Sequence, residues 1–387
     1  MIRPPLEVAD LVRTHGAAFI EHHRRWLKAL HLKVLRAIAA CRTAALGGHV
    51  EQCDSCGHKA IAYNSCLNRH CPKCHGAARQ KWLAQRSREL LPVPYYHVVF
   101  TIPHFLAPVA LQNKTVVYNL LFRTAAETLL QIAADPQHLG AEIGFLAVLH
   151  TWGQTLQLHP HLHCVVPGGG LAPDHQHWIA RGRKFFLPVK VLSPVFRGKF
   201  LSALEQAFRK GKLTFNGQLA ELQSPSAFAT LLANAACRDW VVYVKRPFAG
   251  PAQVLTYLSR YTHRIAISNS RLLSLANGRV TFRWRDYAHH HQIRTTTIEA
   301  EEFLRRFLLH VLPPTFVRIR YFGLLANRHR KHSLQLCRTC LQAKAPLSPA
   351  TPLHLCQHCH RGTMRLIEML SPLQLASLLT IPAEDSS

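Results

Sequence analysis

Residues 145–170 read FLAVLHTWGQTLQLHPHLHCVVPGGG. The run is rich in β-branched, aromatic and other apolar residues, so it reads as two β segments closed by a glycine turn. Within the second segment lies His159-Pro160-His161-Leu162-His163. Successive side chains of a strand point to opposite faces, so His161 and His163 share one face while Leu162 points into the core. Two imidazoles on one face make half of a divalent-metal site with positions left open. His159 has the same parity, but Pro160 can break the strand there, which makes His159 a supporting or surface residue. In a chain with 27 histidines, the plainer alternative is a His-rich surface strand.

A third ligand has to come from a neighbouring element. Gln154 is the expected one, because a bend near 157–160 folds it back toward His161. A continuous strand would turn it the wrong way, so His150, Glu142 and His263 stay open as alternatives.

Outward from this stretch the chain alternates helices and strands. YYHVVFTIP (95–103), WVVYVKRPFAGP (240–251) and RVTFRWRDY (279–287) read as strands. Helices are expected over 76–91, 108–134, near 198–210 and around 252–262. There is no regular βαβ rhythm and no phosphate-loop motif. The expected fold class is therefore α+β, a central domain with a mainly antiparallel sheet flanked by helices, plus zinc-ribbon-like regions near both termini. The expected segments are 1–91, helical and Cys-rich; 92–332, the catalytic block; and 333–387, a second Cys-rich region and tail.

Lys and Arg number 47 against 20 Asp and Glu, a net charge of +27. Such a surplus favours a polyanion, since each neutralised phosphate releases condensed counterions. An anionic membrane would also attract it, but no stretch reaches the roughly 18 apolar residues of a spanning helix. The opening MIRPPLEVAD has Pro and Glu where a signal peptide needs an apolar core, so the expected location is the cytoplasm. Cysteines there are held reduced, and close Cys pairs read as metal sites before disulfides.

Cys53-x-x-Cys56 and Cys71-x-x-Cys74 are joined by one short intervening stretch, and Cys337-x-x-Cys340 and Cys356-x-x-Cys359 by another of similar length. Zinc takes four soft or borderline ligands in a tetrahedron, which two knuckles supply. The spacing predicts one structural zinc on Cys53, Cys56, Cys71 and Cys74 and a second on Cys337, Cys340, Cys356 and Cys359. Cys66, His58, His70 and His75 are nearby substitutes for one ligand of the first site. Cys41, Cys164 and Cys237 are scattered and read as core or incidental residues.

Tyr257 and Tyr261 stand four apart in a helical pattern, which puts both phenols on one face, about 5–6 Å apart at Cβ. Two neighbouring phenols can each hold one DNA end, although a YxxxY by itself more often packs a helix onto a sheet. Arg260 and Arg264 share a face by the same spacing and can contact phosphates.

A His-hydrophobic-His strand followed by YxxxY resembles the two-tyrosine HUH endonucleases. CDSCGHKAIAYNSCLNRHCPKC (53–74) looks like the N-terminal zinc-binding domain of the insertion-sequence ninety-one family of transposases. VVFTIPH, HPHLHCVVPGGG, RPFAGPAQVLTYLSRYTHRIAISNSRLL, VTFRWRDY and RYFGLLANRHR are similar to that family in the same order, over about residues 10–365. The resemblance implies rolling-circle transposition. His161 and His163 would hold Mg²⁺ or Mn²⁺ against a scissile phosphate of single-stranded DNA. A tyrosine would attack phosphorus, leaving a 5′-phosphotyrosine and a free 3′-hydroxyl. A ligand set of His, His and Gln is softer than Mg²⁺ prefers, which favours Mn²⁺. A replication initiator nickase shares every catalytic residue. A non-enzymatic zinc-dependent DNA-binding protein would explain the charge and cysteines but leave the histidines and tyrosines as coincidences.

Overall fold

The computed structural model describes residues 5–180, 187–248, 253–254, 266–287, 289–344 and 354–380. In chain order these form α1 (Val8–His22), α2 (Ala29–Ala40), β1 (Gly48–Cys53), β2 (Lys59–Tyr63), α3 (His75–Ser87) and β3 (Tyr95–Thr101). Then come α4 (Ala107–Gln112), α5 (Lys114–Ala134), β4 (Gly144–Trp152), β5 (Leu158–Pro167), β6 (Gly170–Leu171) and β7 (Trp178–Ile179). The next are α6 (Val189–Arg209), α7 (Pro225–Ala236), β8 (Val242–Phe248), β9 (Leu272–Ala276), β10 (Arg279–Asp286) and β11 (Gln292–Glu299). The last are α8 (Ala300–Leu309), β12 (Ile319–Gly323), α9 (Arg330–Cys340), β13 (Met364–Leu370) and α10 (Pro372–Thr380). The chain is α+β with antiparallel strand pairing, as its sequence predicts. None of the described helices is long and apolar enough to cross a membrane.

The chain divides into two compact units, neither of them a single segment. One takes Met1–Lys81, Ile267–Val311 and Pro349–Ser387; the other takes Trp82–Ala266 and Leu312–Ser348. The three consecutive segments expected from sequence differ from this division, because the first unit draws on all three.

The second unit is built on a five-stranded antiparallel sheet in the order β12-β4-β5-β3-β8. Alternation along β5 sends Leu162, Cys164 and Val166, all fully buried, to one face. There they join Val98 and Phe100 of β3 and Phe145, Ala147 and Leu149 of β4 in a core closed by α5 and α6. Phe100 meets the edge of Phe196 at 4.9 Å, and Phe196 meets Trp240 at 5.5 Å. Each such ring or leucine contributes about 1.5–3 kcal/mol by leaving water, so this face fixes the register of the strands.

The other face is partly covered. Tyr95, Leu146, Val148 and Val165 form a second cluster with Val254 and with Leu334 and Cys337 of α9. Beyond this cluster, toward the β4–β5 turn, the same face carries histidines. The helix expected over 108–134 is interrupted at Asn113, whose side chain accepts from Thr214 N at 2.8 Å and donates to Thr214 O at 2.9 Å.

In the first unit, Glu7 caps the start of α1, and Val8 N donates to Asn269 Oδ1 at 3.2 Å. The basic stretch 18–41 covers the end of α1 and all of α2, which are separated at 23–28. β9, β10 and β11 form one three-stranded antiparallel sheet, and Phe282 of β10 meets Phe303 of α8 edge-on at 5.8 Å. A second three-stranded sheet has the order β13-β1-β2. Its centre, β1, pairs on one side with its sequence neighbour and on the other with a strand from the opposite end of the chain, Cys53 opposite Met364.

Candidate metal centres

The pairing of β4 with β5 places His150 directly opposite His161, and β3 places Val99 opposite His163 and His97 opposite Val165. Parity then puts His97, His150, His161 and His163 on the same face. The nitrogens of His150, His161 and His163 all lie within 4.8 Å of one another. Nδ1 of His161 donates to the carbonyl of its neighbour His159 at 2.6 Å, which leaves a lone pair on its Nε2. That Nε2 is 3.0 Å from Nε2 of His163. Nδ1 of His163 is engaged by Nε2 of His97 at 2.8 Å, with the two rings stacked 5.0 Å apart.

Burial holds His97, His161 and His163 neutral. Loss of water pushes the His161 pKa down to about 3, and the nearby His159 adds to the shift. His97 is pushed to about 3 by burial, then by Lys245 and His161. His163 is lowered for the same first reason, with His150 next. A neutral imidazole is the form that binds a metal, and with the His163 proton on Nδ1 the two Nε2 lone pairs would turn toward each other and call for a cation between them. Metal–nitrogen bonds of about 2.1 Å at a right angle would set the nitrogens about 3.0 Å apart, so the pair fits.

Gln154, the expected third ligand, lies in the turn after Trp152, where Gly153 N bonds Gln157 O at 2.9 Å. The residue that the strand register brings opposite His161 is His150, one of the alternatives weighed. His97 was not singled out from sequence; its place in the strand YYHVVFTIP was the signal that it shares a sheet with the histidines. Glu142 instead pairs with His175 at 3.2 Å, away from the triad's ligand group. Tyr257, Tyr261, Arg260, Arg264 and His263 lie outside the described residues. Val254, three positions before Tyr257, is fully buried in the cluster with Val148 and Val165 on the histidine face.

The cysteines are grouped differently from the expectation. Cys71 and Cys74 come together with Cys41 and Cys66, and Cys53 and Cys56 with Cys356 and Cys359. In the first group, Cys74 Sγ lies 3.3 Å from both Cys41 Sγ and Cys66 Sγ. Cys41, read from sequence as a core or incidental residue, sits at the end of α2 and is fully buried, with its Sγ accepting from Cys66 N at 3.5 Å. Hydrogen bonds from Cys66 and then Cys71 bring the Cys41 thiol down to about 7. Those from Cys41, Cys66 and Cys71 pull Cys74 down further. The same hydrogen bonds push Cys66 and Cys71 up, so the four sulfurs share protons that a divalent cation would replace.

Cys337 and Cys340 belong to neither group. They stand one turn apart on α9. Cys337 is buried in the cluster beneath the helix, where burial pushes its thiol up to about 12, and Cys340 faces the carbonyl of His175 at 3.6 Å. A CxxC spacing suits both a zinc knuckle and one helical turn, and here the helix takes it. Cys164 is a fully buried core residue and Cys237 is exposed.

The chain is similar to known proteins over nearly all its length. A family model described as "Transposase zinc-binding domain" matches residues 11–102, which include the first cysteine group and His97. One described as "Putative transposase" matches residues 144–333, which include the histidine triad and both tyrosines. The chain is 53% identical over 385 residues to "Putative transposase y4qJ" of Sinorhizobium fredii (strain NBRC 101917 / NGR234), covering 95% of this chain and 96% of that protein. It is 31% identical over 313 residues to "Transposase for insertion sequence element IS801" of Pseudomonas savastanoi pv. phaseolicola, covering 78% of this chain and 72% of that one. No solved structure matches the chain significantly.

Proposed function

The chain belongs to the IS91 family of transposases, and we infer that it cuts and rejoins single-stranded DNA at element ends through a tyrosine nucleophile. The observation that carries this reading is the convergence of Nε2 of His161 and His163, with His150 opposite, on one sheet face. His150, His161 and His163 would hold Mn²⁺ or Mg²⁺, with Gln154 in the adjoining turn as a further candidate. When bound, the ion supplies charge neutralisation and polarisation at a non-bridging phosphate oxygen. An all-imidazole set favours Mn²⁺ over Mg²⁺.

The chain's own groups do the rest. His159 O and His97 fix the rings of His161 and His163, so both present Nε2 to the same point. The phenol of Tyr257 or Tyr261 loses its proton and forms a bond to phosphorus. The bond from phosphorus to the 3′ oxygen breaks, and that oxygen takes a proton. The 5′-phosphotyrosine keeps the ester bond, so the 3′-hydroxyl of the same or another strand can reverse the step without ATP. The second tyrosine accepts the other strand end, and Arg260 and Arg264 hold phosphates. Val254, three positions before Tyr257, is buried in the cluster on the histidine face, which supports this reading. The charge of +27 supports a DNA partner.

The test is incubation with 5′- and 3′-labelled single-stranded DNA and Mn²⁺, resolved on denaturing gels. A protease-sensitive protein–DNA adduct, lost in the Tyr257→Phe, Tyr261→Phe double variant, is the expected result. Cleavage without an adduct would replace the tyrosine by activated water. Binding to cognate ends with no cleavage would leave a zinc-dependent DNA-binding protein.

A further inference from the structure

Cys53 and Cys56 lie within the matched zinc-binding region, but the other two thiols of their group come from the far end of the chain. The β1–β13 pairing is what closes this distance. It runs from Gly48 opposite Leu370 to Cys53 opposite Met364. An isolated bridge between Leu355 and Thr363 then folds the chain back around Cys356 and Cys359. Asp54 ties the two turns together: its N–H donates to Thr363 O at 3.1 Å, and its Oδ1 accepts from Thr363 N at 2.8 Å. All of this lies within the first compact unit.

Backbone amides point at three of the four sulfurs. Cys53 Sγ accepts from Ser55 N and Cys56 N at 3.4 and 3.5 Å, Cys356 Sγ from His358 N at 3.4 Å, and Cys359 Sγ from Gly362 N at 3.4 Å. Amide donors aimed at sulfur favour the charged form. Across the group, Cys53 Sγ is 3.7 Å from Cys359 Sγ and Cys56 Sγ is 3.8 Å from Cys356 Sγ. Zinc–sulfur bonds of about 2.3 Å put the corners of a tetrahedron about 3.8 Å apart, so these separations are those of four thiolates around one ion. Gly362 completes the fit. A Cβ there would stand 2.4 Å from Cys53 Sγ and 2.7 Å from Ser55 Cβ, so only glycine lets this turn close over the sulfur.

We propose that the chain binds a second structural zinc ion at Cys53, Cys56, Cys356 and Cys359, in a ribbon assembled from the two ends of the chain. The first zinc then belongs to Cys41, Cys66, Cys71 and Cys74, and Cys337 and Cys340 bind none. The zinc-binding region is accordingly not complete within residues 11–102. A chain ending before Cys356 leaves Cys53 and Cys56 two ligands short. This assignment stands apart from the strand-cleavage reading, since the ribbon has all four positions filled by protein.

The experiment is zinc quantitation by plasma mass spectrometry on the full chain, purified under reducing conditions. Two ions per chain are expected for the wild type and for Cys337→Ser, Cys340→Ser, and one for Cys356→Ser, Cys359→Ser. Loss of an ion from the Cys337, Cys340 variant, or retention of two by the Cys356, Cys359 variant, overturns the proposal. If that second variant does not fold, differential alkylation of the wild type decides. Cys53, Cys56, Cys356 and Cys359 should be shielded and become reactive together as a chelator removes one ion. Alkylation of Cys356 and Cys359 while Cys53 and Cys56 remain shielded would overturn the shared site.

Discussion

Nε2 of His97 lies 2.8 Å from Nδ1 of His163, on adjacent strands of the five-stranded sheet. If His163 is to present Nε2 as a ligand, its Nδ1 must carry the proton, and His97 must accept it. Partners of this kind fix the ring and its tautomer, and their loss typically costs about 10- to 100-fold in metal affinity. His97→Ala is therefore expected to weaken Mn²⁺ binding, measured by isothermal titration, by about that factor. His97→Gln, which keeps an acceptor, should recover part of it. Equal affinity in all three proteins would show that His97 only fills space.

The triad itself gives a steeper expectation. His161→Ala removes a nitrogen whose nearest partner is 3.0 Å away, and strand nicking should fall below detection. His150→Ala should give a large partial loss, rescued in part by raised Mn²⁺. An unchanged nicking rate in His150→Ala would return the third position to Gln154.

Leu162 is fully buried and points away from the histidines on either side of it. Leu162→Ala leaves a cavity against α5 and α6, with an expected cost of about 2–5 kcal/mol in urea denaturation. A cost under about 1 kcal/mol would mean that this face is not packed as described.

Gly362→Ala puts a methyl where Cys53 Sγ and Ser55 already stand. Overpacking of this kind costs about 1–3 kcal/mol. The expected readout is one zinc ion lost about 5- to 150-fold more readily to a competing chelator, while the other is held as in the wild type. Unaltered retention of both ions would remove Gly362 from any part in closing the ribbon.

Much of the sheet was legible along the chain because its signals are local. FLAVLHTW, HPHLHCVVP and YYHVVFTIP became β4, β5 and β3, since β-branched and aromatic content favours a pleated, buried surface wherever it occurs. The strict period of two put His161 and His163 on one face before any neighbour was known. Helices were placed less sharply. Around 108–134 the apolar pattern ran unbroken, and only the bonds of Asn113 to the distant Thr214 show why the helix stops and restarts.

Ligand partners were less legible, and for one reason. A CxxC states that two sulfurs are close to each other, but not which other pair completes the tetrahedron. The short spacings between successive CxxC pairs pointed to neighbours in sequence. Strand pairing instead joined Cys53 and Cys56 to Cys356 and Cys359, α2 delivered Cys41 to Cys71 and Cys74, and a helical turn claimed Cys337 and Cys340. The same holds for His150 and His97, which reach the histidine pair only through the register of β4 and β3 on β5. Residue types, alternation and charge belong to the chain itself and set its chemistry. Which distant groups share one cation follows for the histidines from the order and register of strands, fixed by burying the sheet's other face, and for the cysteines from strand and helix placement, and that was decided only in the folded protein.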